Sequence, residues 1–102
     1  MTLQIRIYQI KPGKMKDWVE GWTRGVYPLR VKHGFTIPGA WVIEETNTFV
    51  WLLGYDGPEG FEAKNKAYYA SEDRRTLQPD PAVHIEKAEE WFVTPVITPT
   101  SR

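Results

Sequence analysis

The sequence predicts an α+β fold in which four antiparallel strands carry two long helices on one face. Two observations near the start of the chain support this prediction. Across residues 3–10, apolar residues alternate with polar or amphipathic ones, which is the period of a strand. After the Pro12-Gly13 turn, the apolar spacing changes to three and four residues, as one face of a helix requires. The residues of this helical face are Met15, Trp18, Val19, Trp22, Val26 and Leu29.

The remaining elements follow from their boundary residues. Gly34 ends the first helix, since glycine readily takes the left-handed conformation. Residues 36–44 and 48–55 are strand-like, and the three residues between them allow only a hairpin. The turn at residues 56–59 opens a second helix that runs to about Ser71. Asp80-Pro81 has the pattern of an N-cap and a first helical residue. It predicts a short third helix reaching 85–87, before a last strand over about 88–96.

The resulting order, β-α-β-β-α-(α)-β, is that of the ferredoxin-like fold, with the spatial strand order 4-1-3-2. The prolines agree with this order. Pro38 lies in the second strand and Pro95 ends the fourth, and these are the two edge strands, where a residue without an N–H is tolerated. At 102 residues we expect one domain over 1–97, followed by a C-terminal tail over 98–102.

Composition restricts the function classes. The 13 basic and 13 acidic residues balance, which disfavours a nucleic-acid partner or an anionic membrane surface. The chain contains no Cys, so it has no disulfide, thiolate nucleophile or thiolate metal site. It also lacks an apolar run of the roughly 18 residues that a membrane span needs, and its first residues do not resemble a signal peptide. We therefore expect a cytoplasmic protein without a membrane or nucleic-acid partner.

Aromatic residues are more numerous than one small core needs: the chain has five Trp and five Tyr. We expect the main core to form where the helical stripe packs on Leu3, Ile5 and Ile7. The opposite sheet face, which would carry Arg6 and Tyr8, is then too aromatic to remain in water, so we expect a homodimer formed sheet to sheet. A monomer with scattered surface aromatics is the alternative.

Three segments are distinctive: Ile5-Arg6-Ile7-Tyr8 with Lys11-Pro12-Gly13-Lys14, Tyr27-Pro28-Leu29-Arg30-Val31-Lys32-His33-Gly34, and Gly39-Ala40-Trp41. Together they resemble the NIPSNAP family of the dimeric α/β-barrel superfamily, in motif detail over 3–55 and in element order over 58–96. The resemblance implies a homodimer whose sheets close into a barrel, with a ligand cavity between sheet and helices. It supplies no agreed catalytic residues, although superfamily relatives include cofactor-free monooxygenases, haem-degrading enzymes and lactone isomerases.

His33 and Arg30 are the candidate catalytic residues. His33 continues the inward helical stripe four residues after Leu29, and its imidazole titrates near neutral pH. It is equally interpreted as a structural histidine at a helix end. The guanidiniums of Arg30 and Arg6 are suited to hold a carboxylate or enolate oxygen. The alternative is that they form ion pairs, with Glu44 or Glu90 or, for Arg6, across the dimer interface.

A flat or aromatic ligand would suit walls built of aromatic residues, each of which is alternatively core or interface. The candidate ligand-binding residues are Tyr8, Trp22, Tyr27, Trp41, Trp51 and Tyr69. We expect His33 to face a cavity bounded by Trp22, Trp41 and Trp51. Neither histidine has a partner at ligand spacing, so we expect no metal and no cofactor. Axial haem ligation by His33 has only the superfamily analogy in its favour.

Three functional interpretations remain. The first is a small-molecule-binding protein for a hydrophobic or aromatic ligand, with cofactor-free oxygenase or isomerase activity. The second is a non-catalytic binding or protein-interaction homodimer, so the sequence leaves open whether the protein is an enzyme. The third, an RNA-recognition module, shares the element order, but its third strand should be basic, and residues 48–55 contain neither Lys nor Arg.

Overall fold

The structure, a computed structural model, describes residues 1–97 and confirms the predicted α+β architecture. The predicted tail at 98–102 lies outside the described residues. The strands are β1 (Thr2–Ile10), β2 (Thr36–Ile43), β3 (Thr48–Tyr55) and β4 (Ile85–Val93). The α-helices are α1 (Met15–Gly21), α2 (Tyr27–Lys32), α3 (Phe61–Ala70) and α4 (Glu72–Arg75). A π-helical turn (Trp22–Val26) joins α1 to α2, and 3-10 turns occur at Glu44–Thr46 and Pro81–His84.

The sheet has the order β2-β3-β1-β4 and is antiparallel throughout, so β1 and β3 are central, as the sequence predicts. One boundary prediction is wrong. The short helix after Asp80 ends at His84 and β4 begins at once with Ile85, because Ile85 pairs with Ile10 at the end of β1. Within the described residues, no helix is both long and apolar enough to span a membrane.

The first helix is irregular where the sequence shows glycines and a proline. The π-helical turn lies immediately before α2. Pro28 is in the first turn of α2, where a residue without an N–H is tolerated. The glycines serve close packing: a Cβ on Gly21 would lie 2.7 Å from the Pro81 Cβ, and one on Gly25 would lie 3.2 Å from a methyl of Leu77. Both glycines thus allow neighbouring segments to approach the helix closely.

The two faces of the sheet are reversed relative to the sequence prediction. Arg6 and Tyr8 point toward the helices and are buried, whereas Ile5 and Ile7 lie on the opposite face and are half exposed. Trp18 and Trp22 therefore pack on Tyr8, Phe49 and Trp51 rather than on the isoleucines. Strand alternation defines two faces but does not say which one the helices cover. The predicted core on Leu3, Ile5 and Ile7 is therefore wrong.

The outer face of the sheet is mostly apolar, with Glu89 paired beside Ile7, and no helix of the described chain covers it. Cross-strand pairing places Ile5 beside both Leu52 and Trp91, and Val50 beside both Ile7 and Trp41. The Trp41 ring lies over Gly39, where a Cβ would be only 2.6 Å from the indole, and Trp41 remains 54% exposed. We call this surface the outer face; its apolar members are Ile5, Ile7, Trp41, Ile43, Val50, Leu52 and Trp91.

Candidate functional site

Two arginines are buried side by side between the sheet and the helices. Arg6 comes from the central strand β1 and Arg30 from the last turn of α2, and each is 1% exposed. Asn65 and Tyr69 approach them from α3, where a spacing of four residues puts both on one helical face. Two like charges are thus held together in the layer that would ordinarily be apolar.

Neutral acceptors hold the two guanidiniums in place. The Asn65 Oδ1 accepts from Arg30 Nη1 at 2.8 Å and from Arg6 Nη2 at 3.4 Å. The Tyr69 hydroxyl accepts from Arg6 Nη1 at 3.1 Å and from Arg30 Nη2 at 3.2 Å. Arg6 also donates to the Tyr8 hydroxyl at 3.2 Å and to the Gln4 Oε1 at 2.8 Å. The Arg6 guanidinium therefore donates four hydrogen bonds, whereas that of Arg30 donates two.

The charges of the pair are not balanced. Arg6 has a carboxylate partner, Glu90 of β4, at 3.6 Å, which confirms one of the ion pairs considered from the sequence. Among residues 1–97, no carboxylate lies within 4.0 Å of the Arg30 guanidinium, and its Nε has no acceptor. The guanidinium instead stacks on the Tyr68 ring, 3.8 Å from the centroid. A cation–π contact supplies about 2 kcal/mol when desolvated, less than the several kcal/mol that burying a lone charge costs.

A cavity of about 50 Å³ lies next to the pair, room for one or two water molecules. Arg30 lines it directly, whereas Arg6 lies behind the hydroxyls of Tyr8 and Tyr69. A third guanidinium on the lining, that of Arg74, is already neutralised by two 3.2 Å contacts with Asp80. The other lining residues with polar groups are Trp18, Trp51, Tyr8, Tyr68 and Tyr69.

The two arginines shift the pKa values of the surrounding tyrosines by different amounts. Burial acts to raise the pKa of Tyr69, but the charges of Arg6 and Arg30 outweigh it and hold this pKa below the usual 10. Burial raises the pKa of Tyr8 and of Tyr68, and in both the nearby guanidiniums only partly oppose it. Burial also lowers the pKa of Arg30 to about 10, so Arg30 stays charged at neutral pH. Tyr69 is thus the tyrosine of the site that most readily gives up its proton.

Four of the predicted site residues meet at this cavity: Arg30, Tyr8, Trp51 and Tyr69. Tyr69 is also 44% exposed, so its ring connects the buried pair with solvent. Trp22 is buried beside the cavity but does not line it, and its ring contacts Trp51 at a centroid distance of 5.4 Å.

The other predicted residues lie elsewhere. Tyr27 is 43% exposed and packs on the outer side of Trp22. Trp41 is on the outer face of the sheet. His33 lies at the end of α2, outside the cavity, with its Nε2 3.3 Å from an Asp73 oxygen. The prediction of a cavity that His33 faces and that Trp22, Trp41 and Trp51 bound is therefore corrected. Of these residues only Trp51 lines the cavity, together with Arg30, Tyr8 and Tyr69.

The π-helical turn explains why His33 misses the cavity. The buried positions of this helical segment are Trp18, Trp22, Val26 and Arg30, each four residues after the last. Extending an ordinary helical period from Trp22 selects Leu29 and then His33. A π turn contains an extra residue, so the inward position moves from Leu29 to Arg30. Asn65 was not among the predicted site residues. Its signal in the sequence is an amide four residues before Tyr69 on the same helical face.

The fold and the buried pair define a ferredoxin-like α+β domain with a small polar cavity between its layers. The NIPSNAP family model matches residues 3–100, and the chain belongs to this family. No protein with a curated function matches the sequence.

Solved structures with the same fold have low sequence identity to the chain. An uncharacterised NIPSNAP domain protein from Burkholderia xenovorans is 19% identical, with a TM-score of 0.82 over 98% of this chain and 100% of that one. A NIPSNAP family protein from Agrobacterium tumefaciens is 18% identical, with a TM-score of 0.82 over 96% and 89%. The structure of an antibiotic biosynthesis monooxygenase is 18% identical, with a TM-score of 0.66 over 94% and 99%. At these identities the likeness concerns the fold.

Proposed function

We propose that this protein binds a small acidic or enolisable organic molecule in the cavity between helices and sheet, with Arg30 as its charge partner. One observation carries the proposal: Arg30 is 1% exposed, and no carboxylate of residues 1–97 lies within 4.0 Å of it. A buried cation without a counter-ion is costly, and an anionic ligand would supply the missing charge. The hydrophobic or aromatic part of the ligand would extend past the exposed ring of Tyr69.

The same site suits proton transfer next to a stabilised negative charge. A phenolate at Tyr69 would take a proton from the carbon beside the ligand's carbonyl, and Arg30 would hold the enolate oxygen that forms. Return of that proton to another atom is an isomerisation, and reaction of the enolate with dioxygen is a cofactor-free oxygenation. The fold shared with an antibiotic biosynthesis monooxygenase supports the second by analogy only. Because His33 lies outside the cavity, the proposal gives its proton-transfer role to Tyr69.

Phenylpyruvate, which is acidic, aromatic and enolisable, is a suitable probe. Calorimetry should show saturable binding to the native protein and at least tenfold weaker binding to Arg30→Gln, because a hydrogen bond between charged groups contributes about 1.5 to 3 kcal/mol. Lys32→Gln is the matched control: it removes one positive charge from the same helix, but Lys32 is exposed and pairs with Asp73. Equal weakening in both variants, or in neither, would contradict a specific role for Arg30.

A non-catalytic binding protein is the alternative, and the same probe separates it from an enzyme. If the site is catalytic, the native protein should accelerate interconversion of the keto and enol tautomers of phenylpyruvate, followed by ultraviolet absorbance. Tyr69→Phe should then lose this acceleration while retaining most of the binding. Binding without acceleration would favour the non-catalytic alternative.

The outer face supports the second part of the proposal, a homodimer formed sheet to sheet. Trp41 and Trp91 are 54% and 60% exposed and lie on one surface with five aliphatic side chains. Soluble monomers rarely expose so continuous an apolar surface to water. Two such sheets can pack face to face with a separation of about 10 Å. The proposed dimer face is thus the one opposite Arg6 and Tyr8, and the ligand cavity of each subunit lies on the other side of its sheet.

A further inference from the structure

Four residues that line the cavity beside Arg30 have a buried N–H or O–H group for which residues 1–97 supply no hydrogen-bond partner. The indole nitrogens of Trp18 and Trp51, the Arg30 Nε and the Tyr68 hydroxyl are all buried without a protein partner, and all four residues line the cavity. Indole and guanidinium N–H groups only donate. Buried polar groups in native proteins are nearly always bonded, so a donor set of this kind calls for an acceptor.

The other two hydroxyls of the lining also have a proton to donate. The Tyr69 oxygen already accepts one hydrogen bond from each arginine, which occupies both of its lone pairs and leaves only its proton to offer. The Tyr8 oxygen accepts from Arg6, and its proton is likewise free to donate among the described residues. Donor groups therefore predominate in the lining, next to a cation that has no carboxylate partner among residues 1–97.

We infer that the group bound in this cavity is the carboxylate of a small monocarboxylic acid, inserted end-on between Arg30 and the indole N–H groups of Trp18 and Trp51. This inference rests on the proposed function and names its ligand class. An ionised carboxylate is planar, accepts hydrogen bonds and donates none, and balances one positive charge. A cavity of about 50 Å³ holds such a head group but not a drug-sized molecule, for which pockets start near 300 Å³.

Other occupants fit the donors less well. A primary amide has nearly the shape of a carboxylate, but it brings no charge to balance Arg30, and its NH₂ group would find as acceptors only the hydroxyl oxygens of Tyr8 and Tyr68. Water has the same defect in part, since each molecule brings two protons as well as two lone pairs. A tetrahedral phosphate is bulkier and carries more charge than the single unpaired guanidinium balances.

The inference predicts which tryptophans sense the ligand. The chain has five tryptophans, so a ¹⁵N–¹H spectrum should contain five indole signals, assigned from single Trp→Phe variants. Addition of benzoate should shift the indole signals of Trp18 and Trp51 downfield in a saturable way. Trp22 is the internal control, because its indole nitrogen is also buried without a protein partner but Trp22 does not line the cavity. Benzamide, the neutral near-isostere, should bind at least tenfold more weakly.

The variants give a second readout of the same claim. Trp51→Phe, which removes the N–H but keeps an aromatic ring, should weaken benzoate binding about tenfold, as expected for loss of a hydrogen bond to a charged group. Trp22→Phe should leave binding unchanged. Thermal denaturation of both variants would show that they fold.

The outcomes separate this inference from the proposed function. If benzoate or phenylpyruvate binds in an Arg30-dependent way but Trp18 and Trp51 do not respond, or if benzamide binds equally well, the inference is wrong and the proposed function stands. If acetate, propionate and benzoate all fail to bind, the inference is wrong, and phenylpyruvate alone decides the proposed function. If phenylpyruvate binds no more weakly to Arg30→Gln than to the native protein, the proposed function fails as well.

Discussion

Replacement of Arg30 by methionine should leave the stability of the ligand-free protein nearly unchanged, although Arg30 is fully buried. The variant loses two hydrogen bonds, worth about 1 kcal/mol each, and cation–π contacts worth about 2 kcal/mol. It also removes an uncompensated buried charge, whose presence costs about 3 to 5 kcal/mol. Both acceptors keep a donor, since Asn65 and Tyr69 also bond to Arg6. These opposing contributions nearly cancel and give a net change within about 1 kcal/mol of zero.

Arg6→Met is the matched comparison, because the two residues are equally buried and their guanidiniums share the same acceptors. Arg6 makes four side-chain hydrogen bonds and an ion pair with Glu90. Its loss leaves the buried Gln4 amide oxygen and the Tyr8 hydroxyl without a donor, at about 1 to 3 kcal/mol each. We therefore expect Arg6→Met to be destabilised by about 2 kcal/mol or more.

The assay is urea unfolding followed by tryptophan fluorescence, at one protomer concentration so that any dimerisation contributes equally. We expect the stability of Arg30→Met to lie within about 1 kcal/mol of the native value and that of Arg6→Met to lie clearly below it. If Arg30→Met is destabilised as much as Arg6→Met, then Arg30 is a structural residue and the argument from its missing counter-ion fails.

Three further predictions concern ionisation, packing and assembly. In an ultraviolet titration, Tyr69 should ionise before the other two tyrosines of the site, and Tyr69→Phe should remove this first step. Because the folded-state pKa of Tyr69 is lowered, its ionisation adds stability that is complete above the unfolded value near pH 10 and is lost as the pH falls through the folded value. Gly21→Ala should destabilise by about 1 to 3 kcal/mol, since its Cβ meets a proline ring, and Gly25→Ala, which meets a flexible leucine, should cost less in urea unfolding. Trp91→Glu should convert the proposed dimer to a monomer in sedimentation, whereas Val83→Glu, an equally exposed site away from the sheet, should not; a native monomer at micromolar concentration would contradict the proposed dimer.

The order of elements was predictable because the apolar periodicity and the turn-forming residues indicate the same boundaries along this chain. The alternation at residues 3–10, the Pro12-Gly13 turn and Gly34 at φ +90° each mark a boundary that the structure also has. The prolines narrowed the sheet order, since edge strands tolerate them. These signals are local, so a single sequence contains them.

The orientation of β1 was not predictable by the same means. The alternation places Arg6 and Ile7 on opposite faces of the sheet. Which of the two faces is buried depends on what covers each of them. The charge of Arg6 is buried because α3 brings Asn65 and Tyr69 to it across nearly sixty residues of sequence. The isoleucines lie outside, on the face that we propose a second subunit covers. A rule that places apolar residues inside one chain fails when the apolar face is open in that chain.

The site was half predictable. Arg30, Tyr8, Trp51 and Tyr69 were identified by residue type, as a guanidinium among aromatics. His33 was placed by helical spacing, and the π-helical turn shifted that spacing by one residue, which brought Arg30 inward instead. Among residues 1–97, the lack of a counter-ion for Arg30 is a property of the three-dimensional arrangement, because the sequence contains 13 acidic residues.

A crystal structure with 4-bromobenzoate tests the central claim most directly, since the anomalous signal of bromine locates the ligand independently of the refined coordinates. We expect one ligand per chain, with its carboxylate in the cavity, an oxygen about 2.7 to 2.9 Å from the Arg30 guanidinium, and the bromine beyond Tyr69 toward solvent. Two results would contradict the claim that Arg30 binds an anionic ligand. One is a cavity that contains only water at saturating ligand, and the other is an Arg30 paired with a carboxylate from a second subunit.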